Sequence, residues 1–177
     1  MLDRTWIARR RIANRFTESE PRFDGEFVNF EGIVFEPKPV AGKIPIWIAG
    51  ESGAALRRVA RFADGWCPGT TSPTLPLDTV QGFTAAMDNL RLACDAEGRK
   101  ANELDIVLYP SQYAPDSSPD NRVPFYGEST AVADDIARYE AKGLTGLTLR
   151  LLRDDLNETL DEIERYADDV IGPINNR

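Results

Sequence analysis

Short apolar runs and longer amphipathic stretches take turns along this chain. "IPIWIAG" (Ile44 to Gly50) has strand length and reads as a strand buried on both faces. Directly after it, Leu56, Val59, Ala60 and Ala63 recur at helical spacing, with Ser52 placed to cap that helix. "ADGWCPG" predicts a second short strand, and a helix over about 77–97 follows with the stripe Val80, Phe83, Met87, Leu90 and Cys94. "LDIVLYP" (Leu104 to Pro110) predicts a third strand. Ser129 or Thr130 caps the next helix, with Val132, Ile136 and Tyr139 inward and Gly143 suited to its end. "LTGLTLRLL" is the fourth strand. The last helix carries Leu156, Leu160, Ile163, Ala167 and Val170, and Pro173 follows its end.

Ahead of this alternation, Leu2, Trp6, Ala13 and Phe16 share one face of a helix whose arginines are mostly solvated. Asp24-Gly25 then signals a turn between two short extended runs, and Pro37 and Pro39 set an extended lead-in. Between the third strand and third helix, "SQYAPDSSPDNRVPFYG" is too rich in Pro, Asp and Ser for regular structure and reads as a long loop on the functional face. Four strands, each followed by a helix, imply parallel pairing with right-handed crossovers in a single domain over 1–177. A small doubly wound sheet and half of a (β/α)8 barrel both fit, and periodicity does not separate them. A full barrel takes about 250 residues against the 177 here.

Composition narrows the chemistry. Hydrophobic residues make up 42% and charged residues 28%, ordinary globular values. The net charge of −8 repels phosphate backbones and anionic lipid, which argues against nucleic acid and membrane surfaces as partners. No apolar run approaches the roughly 20 residues that span a bilayer. Cys67 and Cys94 stand far apart without metal-ligand spacing, which suits a reduced, cytoplasmic chain without a disulfide framework. There is no histidine at all. That removes Ser-His-Asp and Cys-His catalysis, and it leaves carboxylates, Arg, Tyr, Ser/Thr, Cys or a bound cofactor to do any chemistry.

The place where a cofactor would sit is the turn after the first strand. In parallel α/β folds ligands gather at the carboxyl ends of strands, where helix N-termini present free N–H groups. Gly50 and Gly53 permit close backbone approach there, and Ser52 adds a hydroxyl beside the N–H groups of Ala54 and Ala55. The second strand ends in Gly69-Thr70-Thr71-Ser72, and neighbouring strands would bring the two loops together. A phosphate between them needs no lysine. On spacing alone ordinary helix capping is the stronger reading, and the carboxylate of Glu51 opposes an anion unless it points away. "GESGA" lacks the last glycine of a nucleophile elbow, and no histidine exists to complete one.

A longer pattern decides more. Phe23-Asp24-Gly25-Glu26-Phe27, the Pro-x-Pro lead-in, Pro45 to Gly50, Ala55 to Arg61 and Asp64 to Trp66 together resemble the luciferase-like monooxygenase family. "FYGESTAVADDIARYEAKGLTGLTL" is similar to that family's penultimate helix and final strand. The resemblance implies a (β/α)8 barrel using a flavin (FMN) or the deazaflavin coenzyme F-420, acting as an oxidoreductase or monooxygenase on a small organic substrate. It covers only the second half of the barrel, the last four βα units, and so implies the cofactor-phosphate side of the site. The phosphate turns of the family match Ala49, Gly50, Glu51 and Ser52, with help from Gly69, Thr70 and Thr71. The family usually has a second glycine where Glu51 stands. No catalytic residue or metal site is implied on this chain. A half barrel would be completed by a second copy or by a complementing half, and would be inactive alone.

Other residues have plainer readings. Asp64 starts a strand and bonds nearby backbone N–H groups, Trp47 is core, and Trp66 is either core or near the cofactor ring. Arg57, Arg58 and Arg61 form a solvated outer face, and Tyr109 ends a strand on the face where barrel enzymes keep their chemistry. The pairs Asp134 and Asp135, Asp154 and Asp155, and Asp168 and Asp169 are solvated faces and caps. Two rivals remain: a non-catalytic small α/β module that binds a ligand or partner, and a flavodoxin-like sheet with a ligand at its switch point.

Overall fold

Four apolar runs do form four parallel strands, but each is shorter than its run. In the computed structural model, which describes residues 16–26, 28–70, 76–110 and 122–176, the strands are β1 (Trp47–Ala49), β2 (Gly65–Cys67), β3 (Asp105–Leu108) and β4 (Gly146–Leu147). They pair in the order β1-β2-β3-β4, every pair parallel. Helices α1 (Gly53–Phe62), α2 (Val80–Ala96) and α3 (Ser129–Glu140) fill the crossovers, and α4 (Leu156–Tyr166) follows β4. The expected N-terminal helix up to residue 15, Thr71 and the loop over 111–121 lie outside the described residues.

This strand order resolves the choice that periodicity left open. A doubly wound or flavodoxin-like sheet reverses direction at a switch point and carries helices on both faces. Here the order never reverses. Ile48, Trp66, Ile106, Leu108 and Leu147 all turn to one face and pack with the buried stripes of α1, α2 and α3 in one core. The alternate residues Trp47, Ala49, Asp105 and Tyr109 stand exposed on the other face, as the two-residue strand period requires. That one-sided winding is the architecture of four consecutive units of a (β/α)8 barrel, its open face being the barrel interior.

Two expectations about burial are corrected by this geometry. The first strand is buried on one face only: Ile44 and Trp47 are each 46% exposed. Trp47 is therefore not core. Its ring lies over Gly65, where an added Cβ would stand 2.5 Å from Trp47 Cδ1, and its indole N–H donates to Asp105 Oδ2 at 3.0 Å. Trp47, Gly65 and Asp105 are in register, so this rung ties the N-terminal ends of three strands. Asp64 behaves as expected, accepting from Ile46 N at 2.9 Å while its own N–H donates to Ile46 O at 2.8 Å.

The helices show where sequence signals are local and where they are not. Thr79 caps α2 through Gly82 N, so the helix begins at Val80, where its apolar stripe begins, and not near residue 77, although Leu77 is fully buried with its carbonyl accepting from the Tyr139 hydroxyl. Helix α3 starts at Ser129 with Glu128 at the cap position and no side-chain cap bond; neither Ser129 nor Thr130 caps it. Ser129 Oγ instead accepts from Arg165. Gly143 takes φ +109, as a helix-ending glycine does. Arg99 closes the other end of α1, donating to Ala63 O at 2.6 Å.

The last helix departs most. Leu156, Leu160 and Ile163 are 70%, 49% and 46% exposed; Val170 is buried as expected, packed with Tyr166 and Val132, and Glu162 is buried too. Pro173 does not follow the helix end. A π-helical turn (Ala167–Ile171) leads into a final helical turn, α5 (Gly172–Asn175), that contains it. The wider π turn relieves the clash a proline ring makes with the carbonyl four residues back. Among the described residues, no helix is long and apolar enough to cross a membrane.

Candidate functional site

The turn from β1 into α1 is built by three local devices. Gly50 has φ +100, a conformation that a side chain resists, and an added Cβ would press on Ala55 Cβ at 3.1 Å. Its carbonyl accepts the indole N–H of Trp66 at 2.9 Å, which fixes the turn to the neighbouring strand. Ser52 then caps α1, its Oγ accepting from Ala55 N at 3.2 Å. Ser52 Oγ keeps its own hydrogen to donate. Helix geometry gives Gly53 N–H and Ala54 N–H no intrahelical acceptor, so two backbone donors open at this end.

The loop after β2 lies beside this turn, as the parallel register requires. Ala49 pairs with Cys67, and Gly69 bridges in parallel to Tyr109. Ala49, Gly50, Glu51 and Ser52 are thus brought next to Gly69 and Thr70 at the carboxyl edge of the sheet. Thr71 lies outside the described residues. Tyr109 stands at the same edge, 37% exposed.

Trp66 does not reach this open face. It is fully buried among the helices and acts on the turn only through its N–H. Cys67, half-buried in β2, has its thiol pushed up by burial, so it stays protonated and is a poor nucleophile.

Sequence reasoning missed two long side chains. Glu51 does not point away into solvent: its Oε1 accepts the Gly69 N–H at 2.9 Å, linking the two loops. The two residues lie 18 apart in sequence, and nothing local signals the contact. Arg57 is on the outer helix face as expected, yet its guanidinium folds back one turn. Nη1 comes 3.7 Å from where a Cβ on Gly53 would stand.

Asp135 is a further correction, since it is buried and not a solvated face. It takes charge-assisted hydrogen bonds from Arg122 and from Phe125 N. Phe125 itself has φ 70, and the Tyr166 hydroxyl donates to its carbonyl at 2.6 Å. These contacts hold the segment that leads into α3. A concavity of about 740 Å³ lies elsewhere, against the Phe23–Phe30 hairpin, lined by Arg22, Asp24, Asn29 and Glu31. Among the described residues no group of three or more His, Cys, Asp or Glu is placed to hold a metal.

One-sided parallel winding, with the β1–α1 turn at the carboxyl edge, defines part of a (β/α)8 barrel. The chain belongs to the luciferase-like monooxygenase family, whose model matches residues 4–145. Among solved structures it is similar to the coenzyme F-420-dependent tetrahydromethanopterin reductase of Methanopyrus kandleri, at 14% identity and a TM-score of 0.68. That match covers 95% of this chain and 63% of the reductase. A monooxygenase of Streptomyces bottropensis is similar at 17% identity and a TM-score of 0.55, over 92% of this chain and 58% of its own. A riboflavin lyase solved with modified FMN and riboflavin gives 13% identity and a TM-score of 0.59, over 89% and 48%. The chain therefore spans less than two-thirds of each of these proteins.

Proposed function

We propose that this chain forms the phosphate-holding side of a flavin- or F-420-dependent oxidoreductase site of the luciferase-like type. The observation that carries this reading is the β1–α1 turn. There the open N–H groups of Gly53 and Ala54 and the Ser52 hydroxyl lie together at the start of α1, with Arg57 Nη1 3.7 Å from where a Cβ on Gly53 would stand. Backbone donors at a helix start, with one cation near, suit a phosphate monoester. The fit has one exception, the Gly69 N–H, which Glu51 already holds.

FMN ends its side chain in a phosphate monoester and F-420 carries a phosphodiester within its side chain, and the donors of the turn suit a phosphate oxygen of either. The bound flavin or deazaflavin supplies hydride transfer or oxygen chemistry to a small organic substrate. The residues of this chain bind and orient: Ser52 and the α1 start anchor the phosphate, and Gly50, pinned by Trp66, keeps the turn's shape. The open sheet face, carrying Trp47 and Tyr109, and the exposed stripe of α4 suit completion by a second copy or by a complementing half barrel. The rival reading, a non-catalytic α/β binding module, draws support from the Glu51 bond, which satisfies part of the cradle internally.

The test is a titration with FMN and with riboflavin, which lacks the phosphate, on the wild type and Ser52→Leu. The reading expects FMN to bind more tightly than riboflavin and Ser52→Leu to weaken FMN by about tenfold or more. Equal affinity for both flavins in both proteins sinks the phosphate assignment.

A further inference from the structure

We infer that Glu51 is a built-in anion that competes with the ligand phosphate for the gap between the two loops. This rests on the proposed phosphate reading and adds a control on that same site. The Gly69 N–H is the donor through which the second loop would reach a phosphate held at the start of α1. It is already used, by Glu51 Oε1 at 2.9 Å. Glu51 belongs to the turn itself, between Gly50 and the cap Ser52, so its carboxylate bridges from one half of the cradle to the other.

A carboxylate and a phosphate ask for the same partners. Both accept from backbone N–H groups, and both favour the positive end of a helix. They cannot share the single hydrogen of Gly69, and two like charges at contact distance repel. Glu51 therefore does two opposed things. Without ligand it holds the β1–α1 turn and the Gly69 loop together. With ligand it must release Gly69 before a phosphate can bridge the loops, and the observed affinity falls by the fraction of molecules in which Glu51 is bound.

Gln separates the charge from the shape. The amide oxygen of Glu51→Gln can still accept from Gly69 but carries no charge, so the loops stay tied while the repulsion is gone. Glu51→Ala removes both. Phosphate affinity is expected to rise about tenfold in Glu51→Ala if Glu51 holds Gly69 in about nine molecules of ten, and by less in Glu51→Gln, whose amide oxygen still competes for Gly69.

The experiment is a titration with inorganic phosphate, followed at the backbone amides of Ala54 and Gly69 by 15N–1H NMR. It is run at constant ionic strength on the wild type, Glu51→Gln and Glu51→Ala, each first shown to be folded by its amide dispersion. The inference expects both amides to shift, saturating at about tenfold lower phosphate in Glu51→Ala than in the wild type, with Glu51→Gln between the two. If Ala54 shifts with the same midpoint in all three proteins, the competition is overturned while the phosphate cradle stands. If neither amide responds in any of them, the cradle itself falls and the inference with it.

Discussion

The indole N–H of Trp66 donates to the carbonyl oxygen of Gly50 at 2.9 Å, joining a core residue of β2 to the turn that opens at the carboxyl edge. Trp66 is fully buried while Gly50 is half-buried, so the bond is shielded from water on the Trp66 side. Trp66→Phe keeps most of the ring but leaves the Gly50 carbonyl unpaired. A cost of about 2 kcal/mol is expected in urea unfolding. An unchanged midpoint would show that the turn does not depend on this bond.

Gly50 itself admits no side chain without strain. At φ +100, with Ala55 Cβ 3.1 Å from the added methyl, Gly50→Ala is expected to lose roughly 1–2 kcal/mol. Gly53→Ala is the control. Only Arg57 Nη1, at 3.7 Å, lies near its added methyl, and Gly53 begins a helix, so little change or a small gain is expected. Equal destabilisation by the two substitutions in thermal unfolding would contradict this account of the turn.

The rung at the opposite end of the sheet gives a second stability test. An added methyl on Gly65 meets Trp47 Cδ1 at 2.5 Å and the Asp105 carbonyl oxygen at 2.7 Å. Gly65→Ala is expected to cost about 3 kcal/mol. Adding Trp47→Ala should not restore the loss, because the Asp105 backbone stays in place. Full rescue by the double substitution would show that the tryptophan ring alone sets the limit.

Much of this was legible in the sequence because it is local. The strand-to-helix alternation, the Ser52 cap, the backbone role of Asp64 and the buried stripe of α2 all follow from residues within a few positions of one another. What escaped depends on partners far along the chain. Trp47 looked like core because large apolar residues usually are, but its strand has helices on one face only. The apolar stripe of α4 was visible as a stripe, yet periodicity does not say which face a neighbour covers. Leu156, Leu160 and Ile163 stay exposed while Tyr166 and Val170 turn inward. Glu51 was read as an obstacle to phosphate, whereas its contact with Gly69 could be seen only once β1 and β2 were in register.

That exposed stripe has a solution consequence. Three apolar side chains at spacings of four and three make a face suited to burial against another element. Leu160→Glu is expected to reduce self-association in sedimentation velocity, or the binding of a complementing half, without lowering the unfolding midpoint by more than about 0.5 kcal/mol. A large loss of stability would mean that the stripe is already packed within the monomer.

Acid should weaken the ion-pair cluster that Glu162 makes with Arg165 and Arg153 on and beside α4. Arg165, bonded to Glu162 at 2.8 Å, holds the Glu162 carboxyl below its ordinary value of 4.5, with Arg153 adding to the effect. Because the folded value is depressed, the stabilisation is complete above pH 4.5 and fades as pH falls through the lower folded value. Wild type is thus expected to unfold at higher temperature than Glu162→Gln at pH 7, with the gap closing as the solution is acidified below that point. A gap that stays constant with pH would remove the ion pair from the explanation.

The most direct test of the central claim is a structure of the chain, or of the barrel it completes, with FMN bound. The account requires the FMN phosphate at the β1–α1 turn, its oxygens about 2.7–3.2 Å from the N–H nitrogens of Gly53 and Ala54 and near Ser52 Oγ. A phosphate bound anywhere else, or a flavin ring occupying this turn, would contradict it.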